Sequence, residues 1–341
     1  MNKEARDEKI AGFDPDNSIA TNAGIFGLPF ELEESEVVLY PVPWEVTVSF
    51  KDGTANGPYQ IFSASPQLDL YDHHFGEVWK RGLHMFTGHV GDMAKLNNNL
   101  RPIAKHYIEQ IENGAAPDHG VLDHVNEACF HLKDTVKSAC ASFIANGHKL
   151  GILGGDHSTP LGYIEALADK HESFGILQID AHADLRDAYE GFTYSHASIM
   201  HNALAYNEQL SLVQVGIRDY SKGENERMDS DERITTFFDT DMKTAAFNGK
   251  NWNQQVDEIV AALPEKVYIS FDADGLSPDL CPATGTPVPG GLSFDQATHI
   301  LVKLKESGKE VIGFDLNETG NAEWDGTVSA RLLYKLCGVL S

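Results

Sequence analysis

The sequence predicts an α/β fold in which a mostly parallel sheet is covered by helices on both faces. Short runs rich in Val, Ile, Leu and Phe recur along the chain, segments with apolar residues at helical spacing lie between them, and clusters of His and Asp follow three of the runs at their carboxyl ends. Open parallel sheets bind their ligands beyond the carboxyl ends of the strands, so position and residue type point to the same edge.

In chain order, residues 1–35 mix charge, Gly and Pro with little periodicity. They read as an extension packed on the outside of the fold or on a neighbouring subunit. Residues 36–341 read as a single domain. Its apolar runs are EVVLYPVP (36–43), HKLGILGG (148–155), SFGILQID (173–180), LSLVQVGI (210–217), RITTFF (233–238), KVYISFD (266–272) and EVIGFDL (310–316). Such runs suit strands buried on both faces. Val125, Ala128, Cys129, Leu132, Val136, Ala139 and Phe143 fall on one side of a helix, as do Val256, Ile259, Val260 and Leu263. There is no internal repeat, and the polar stretches at Asn97–Asn99 and Ala115–Asp118 are the two breaks in composition.

Composition excludes several classes of partner. With 51 acidic and 26 basic residues the formal charge is −25, which disfavours nucleic acid and anionic lipid and favours cationic ligands or metals. No run approaches the ~18 to 20 apolar residues of a membrane helix, and the start MNKEARDEKI lacks a secretory apolar stretch. A cytoplasmic location is expected. Cys129, Cys140, Cys281 and Cys337 form no CxxC pair, which predicts reduced, buried thiols rather than a disulfide framework or a thiolate zinc site.

The chemistry sits in three motifs. In Gly154-Gly155-Asp156-His157-Ser158 the glycines permit a tight turn after the strand, and Ser158 or Thr159 is placed to cap a helix beginning at Pro160. In Asp180-Ala181-His182-Ala183-Asp184, an extended backbone would point residues i, i+2 and i+4 to one side. By the same alternation Asp272 and Asp274 would aim together. Four carboxylates at one sheet edge repel one another unless cations neutralise them, and two divalent ions balance four aspartates. Oxygen-rich ligation with two imidazoles suits Mn²⁺ better than structural zinc. Paired divalent ions lower the pKa of water and supply hydroxide at neutral pH, so the expected reaction is hydrolysis.

GGDHS, DAHAD and SFDAD, in this order, together with CPATGTPVPGG (281–291) and GFDLNE (313–318), resemble the arginase/agmatinase (ureohydrolase) family over residues 36–341. The resemblance implies a three-layer α/β/α sandwich and hydrolysis of a guanidino compound to urea and an amine. It also implies two divalent metal ions, one held by His157, Asp180, Asp184 and Asp272 and the other by Asp180, His182, Asp272 and Asp274. Glu318 would grip the guanidinium, and His196 would pass a proton to the leaving amine. A homotrimer or hexamer is a family expectation.

The loop Leu185-Arg186-Asp187-Ala188-Tyr189-Glu190-Gly191-Phe192-Thr193-Tyr194-Ser195-His196 departs from the Asn- and Ser-rich loop of arginases, and Ser221 stands where arginases carry an Asp near the substrate amine. This looks like the agmatinase type, with Asp187 and Glu190 available to a small cationic substrate such as agmatine. Arg186 could instead pair with a carboxylate, which keeps guanidinobutyrase and formimidoylglutamase activities open beside arginase. A deacetylase of related fold needs only part of this ligand set around one zinc. A non-catalytic metal-binding protein would be expected to lack a ligand, His196 or Glu318, and none is missing.

Overall fold

The computed structural model describes residues 1–17 and 23–341. The expected strands form because β-branched and aromatic runs are buried on both faces. They are β1 Val37–Val42, β3 Lys149–Gly154, β4 Gly175–Ile179, β5 Ser211–Ile217, β6 Ile234–Phe238, β7 Lys266–Asp272 and β8 Glu310–Asn317. The sequence reading missed β2, Leu83–Met85, a short strand at the sheet edge with two of its three residues half-buried. The spatial order is β2-β1-β3-β8-β7-β4-β5-β6, and every pair is parallel.

Alternate residues of each strand enter opposite cores. Val37, Leu39, Leu177, Ile179 and Phe271 pack with the helices Trp252–Ala262, Phe294–Glu306 and Glu323–Val339. Val38, Tyr40, Ile176, Leu212 and Tyr268 pack with the helices Val90–Glu112, His119–Ala145, Leu161–Lys170 and Ile199–Tyr206. The result is three layers, α/β/α. Each fully buried Leu, Ile or Val contributes about 1.5–3 kcal/mol relative to exposure, so these two faces dominate the stability.

Several local expectations change. Asn97–Asn99 lie inside the helix Val90–Glu112, where buried Asn97 accepts the Glu45 N–H at 2.8 Å. Ala115–Asp118 is the connection to the helix His119–Ala145, which Asp118 caps. In the N-terminal extension the helix Lys3–Gly12 buries no residue, whereas Ile25, Phe26, Leu28 and Phe30 enter the core beside Tyr334 and Trp79. Residues 18–22 of the extension lie outside the described residues. All four cysteines are free and buried, as expected. Among the described residues no helix is long and apolar enough to cross a membrane.

Candidate metal centre

The strand order brings the motifs together. β3, β8, β7 and β4 are consecutive neighbours, and their carboxyl ends lead into His157, Glu318, Asp272 with Asp274, and Asp180 with His182 and Asp184. Residues separated by up to 161 positions thus share one edge, with the Glu318 carboxylate accepting the His157 N–H at 2.9 Å.

The backbone reasons differ from those the sequence suggested. Neither Gly154 nor Gly155 adopts positive φ. Instead a Cβ on Gly154 would lie 1.7 Å from the Asn317 side chain, and one on Gly155 would lie 1.9 Å from the Trp44 carbonyl. These glycines permit close approach, not a turn. Ser158 and Thr159 do not cap the helix Leu161–Lys170, because their hydroxyls donate to Asp156 and, for Thr159, also to Asn317. Strand alternation also fails as the cause of convergence. β4 ends at Ile179. Asp184 then turns into the left-handed region at φ 54°, and Glu318 does the same at φ 58°. After β7 the chain tightens into a turn in which Asp272 accepts the Asp274 N–H at 2.8 Å.

His157 Nδ1 faces Asp180 at 2.9 Å, Asp184 at 3.0 Å and Asp272 at 3.2 Å, yet it is buried without a hydrogen bond. His182 Nδ1 lies 3.1 Å from Asp274 and 3.6 Å from Asp180. Ligand atoms of His157, Asp180 and Asp272 fall within 4.8 Å of one another, as do those of Asp180, His182 and Asp274. Asp180 belongs to both groups. A proton on Nδ1 could serve one of three converging carboxylates, whereas a cation serves all three; the donor set therefore fits divalent ions.

Electrostatics agree with that fit. Burial and the charges of Asp274 and Asp180 hold the Asp272 carboxyl well above the usual carboxylate range. Burial and Asp180 push Asp184 up to about 7. Burial, Asp156 and Asp274 raise Glu318 likewise. Burial also opposes ionisation of Asp180, but the imidazoles of His157 and His182 hold its carboxyl low. Against the effect of burial, the same carboxylates hold the His157 and His182 imidazoles well above their usual range. Burial, with His182 and His157 nearby, pushes His196 down to about 3, so its ring is neutral at neutral pH.

A cavity of about 270 Å³ opens over this edge. His182, Asp184 and His196 reach its wall, while His157, Asp180, Asp272, Asp274 and Glu318 are buried and absent from its lining. Glu318 Oε2 is a buried oxygen without a partner among the described residues, approached by Gly285 of the 281–291 loop. The remaining wall includes Phe50, Arg186, Tyr189, Asp219, Tyr220 and Glu224. Asp187 and Glu190 do not line it: Asp187 points outward toward His201, and Glu190 sits in left-handed backbone at φ 53°. Arg186 lies 4.8 Å over the Tyr189 ring and 3.5 Å from Glu224. Ser221 caps the helix Lys222–Ser230 in a reciprocal bond with Glu224.

Sequence reasoning passed over the polar residues that support the centre. Gln178, Gln214, Ser270 and Asp315 interrupt apolar strand runs at core-facing positions and are fully buried. A polar residue inside ILQI, LVQV, YISF or GFDL was the available signal.

A sequence model of the Arginase family matches residues 35–339. An N(1)-aminopropylagmatine ureohydrolase of Thermus thermophilus is 31% identical over 90% of this chain and 91% of its own length. The enzyme of the same name from a Synechocystis species is 28% identical over 89% of each. The agmatine ureohydrolase structure of Thermoplasma volcanium superposes with a TM-score of 0.70 at 23% identity, covering 98% of this chain and 97% of that one.

Proposed function

The chain belongs to the Arginase family, and from that premise we propose that it hydrolyses a small cationic guanidino compound, agmatine foremost, to urea and an amine. The observation that carries the proposal is Asp180 shared between two groups of metal-ligating side chains beneath a cavity of about 270 Å³ that His182 and Asp184 reach. His157, Asp180, Asp184 and Asp272 would hold one cation, and Asp180, His182, Asp272 and Asp274 the other. When bound, such a pair supplies Lewis acidity and a water of lowered pKa.

The chain's own groups do the rest. Glu318 Oε2, a buried carboxylate oxygen without a partner among the described residues, would accept a guanidinium N–H while Oε1 stays held by the His157 N–H. His196, on the cavity wall and outside both ligand groups, is the ring placed to pass a proton to the departing amine as the C–N bond breaks. Phe50, Tyr189 and Tyr220 line the cavity beside His196. Water adds across the guanidinium carbon and the C–N bond to the substrate chain cleaves; agmatine thereby yields putrescine and urea.

A cationic tail is supported by the wall. Arg186 is committed to Glu224 and Tyr189, leaving Asp219, which has no ion-pair partner among the described residues, to face the tail. The reading further takes Mn²⁺ as the resident ion, on the oxygen-rich donor set. It takes the cytoplasm as the location, on four free buried thiols. A homotrimer or hexamer is proposed on family grounds. Urea release from Mn²⁺-loaded protein, offered agmatine, N(1)-aminopropylagmatine, arginine, guanidinobutyrate and formimidoylglutamate, tests the reading. Preference for either agmatine compound is expected, and activity confined to an acidic substrate would overturn the tail assignment.

A further inference from the structure

One residue from each of five neighbouring strands forms a continuous polar row beneath the metal centre. Strand register pairs Asp315 of β8 with Ser270 of β7, Ser270 with Gln178 of β4, Gln178 with Gln214 of β5, and Gln214 with Thr236 of β6. In-register parallel neighbours point to the same face, here the one covered by the helices His119–Ala145 and Leu161–Lys170. Four of the five are fully buried, in a layer otherwise built of Ile, Leu and Tyr. A buried polar side chain costs stability unless it is bonded, so such a row demands an account.

Its hydrogen bonds have a fixed direction. The Ala183 carbonyl can only accept, so the Gln214 amide presents its NH₂ there (2.9 Å) and to Gln178 Oε1 (2.7 Å). Gln214 Oε1 is left to accept the Thr236 hydroxyl at 2.9 Å. Gln178 must therefore turn its NH₂ outward, donating to Asp180 Oδ2 at 2.8 Å and to the His182 carbonyl at 3.2 Å. On the other side Ser270 donates to Asp315 Oδ1 at 3.1 Å, which leaves its oxygen to accept from His157 Nε2 at 2.8 Å. That bond puts the ring proton on Nε2 and directs the Nδ1 lone pair at the three aspartates.

We propose that this row positions the metal ligands: Gln178, set by Gln214 and Thr236, orients the shared carboxylate of Asp180, and Ser270, set by Asp315, fixes the tautomer and ring plane of His157. Gln178 and Ser270 are positioning residues that touch neither cation nor substrate. The proposal rests on the two-cation reading and gives Gln178, Gln214 and Thr236, which lie outside the motifs, a supporting role shared with Ser270 of SFDAD and Asp315 of GFDLNE.

The test is the Mn²⁺ affinity of the full-length protein, measured by competition with a fluorescent chelator and independently of turnover. Gln178→Leu and Ser270→Ala are expected to weaken binding by about 10- to 100-fold, with Gln214→Leu shifting it less and in the same direction. Tyr334→Phe removes buried hydrogen bonds to Leu70 and Trp79 on the opposite face of the sheet. It should lower the melting temperature while keeping wild-type affinity, which separates positioning from general loss of stability. Wild-type affinity in Gln178→Leu would overturn the proposal and leave the metal reading standing. If Gln178→Leu does not fold, an unshifted affinity in Gln214→Leu overturns the proposal instead. Wild-type protein that binds no Mn²⁺ would sink the metal reading and the row's role together.

Discussion

Asp180 has each carboxylate oxygen engaged by the protein, one by the His182 N–H at 2.7 Å and the other by Gln178, and both still face imidazoles. Asp180→Asn removes the charge that two cations would share, so activity should vanish together with bound metal, as elemental analysis of the purified variant would show. His196 lies on the cavity wall and outside both ligand groups. His196→Ala should slow turnover by about 10²- to 10⁴-fold with metal content unchanged; loss of metal in this variant would place His196 among the ligands. Among single residues, His and Asp stand out in the sequence after apolar runs, and the fold gathers those side chains at one sheet edge. The sequence did not show what aims them. Asp184 and Glu318 take left-handed backbone that no residue type announces, and the acids that line the cavity beside Asp184 are Asp219 and Glu224 rather than Asp187 and Glu190.

Among elements, the segment after β3 packs closely, and a Cβ on Gly155 would lie 1.9 Å from the Trp44 carbonyl. A Gly155→Ala methyl would meet the Trp44 backbone, and overpacking of this kind costs about 1–3 kcal/mol. The variant should show a lower denaturant midpoint and, because His157 follows two residues later, reduced metal content; a normal midpoint would refute the crowding argument. The loop 185–198 is held to the helix His119–Ala145 by Asn126, which donates to the Gly191 carbonyl at 3.2 Å and accepts the Thr193 N–H at 3.0 Å. Asn126→Ala should raise KM more than it lowers kcat, since the loop supplies Arg186, Tyr189 and His196 to the wall. Seven of the eight strands were legible because each is a run of apolar residues bounded by polar ones. β2 was not, being three residues long at an edge. The polar row was hidden because its register joins strands β8, β7 and β4, which are far apart in sequence.

Over the whole molecule, stability is expected to depend on charge and on bound metal. Burial opposes ionisation of Asp72, but the Lys335 ammonium at 2.5 Å and the N–H groups of His74 and Phe75 hold its carboxyl below the usual range. A carboxylate with a lowered folded-state pKa stabilises above the unfolded value, about 4, and loses that contribution as the pH falls through the folded value. Wild-type protein should therefore exceed Asp72→Asn in urea midpoint at pH 7, and the gap should close toward pH 3. A cation that binds the folded chain alone adds about 2.7 kcal/mol at a hundredfold excess over its Kd, so chelation should lower the melting temperature. The three-layer architecture was readable from the alternation of runs and helices, whereas the strand order that assembles the centre was not, since it depends on β7 and β8 inserting between β3 and β4. One edge of this sheet is proposed to hold two divalent cations and to hydrolyse a guanidino substrate. Titrating chelator-stripped protein with Mn²⁺ in the presence of agmatine, with bound metal per chain and urea recorded together, tests this. Two ions per chain are expected, with urea release that rises with occupancy and disappears on adding EDTA. Urea release insensitive to EDTA, or silence toward every guanidino substrate with two ions bound, would contradict the proposal.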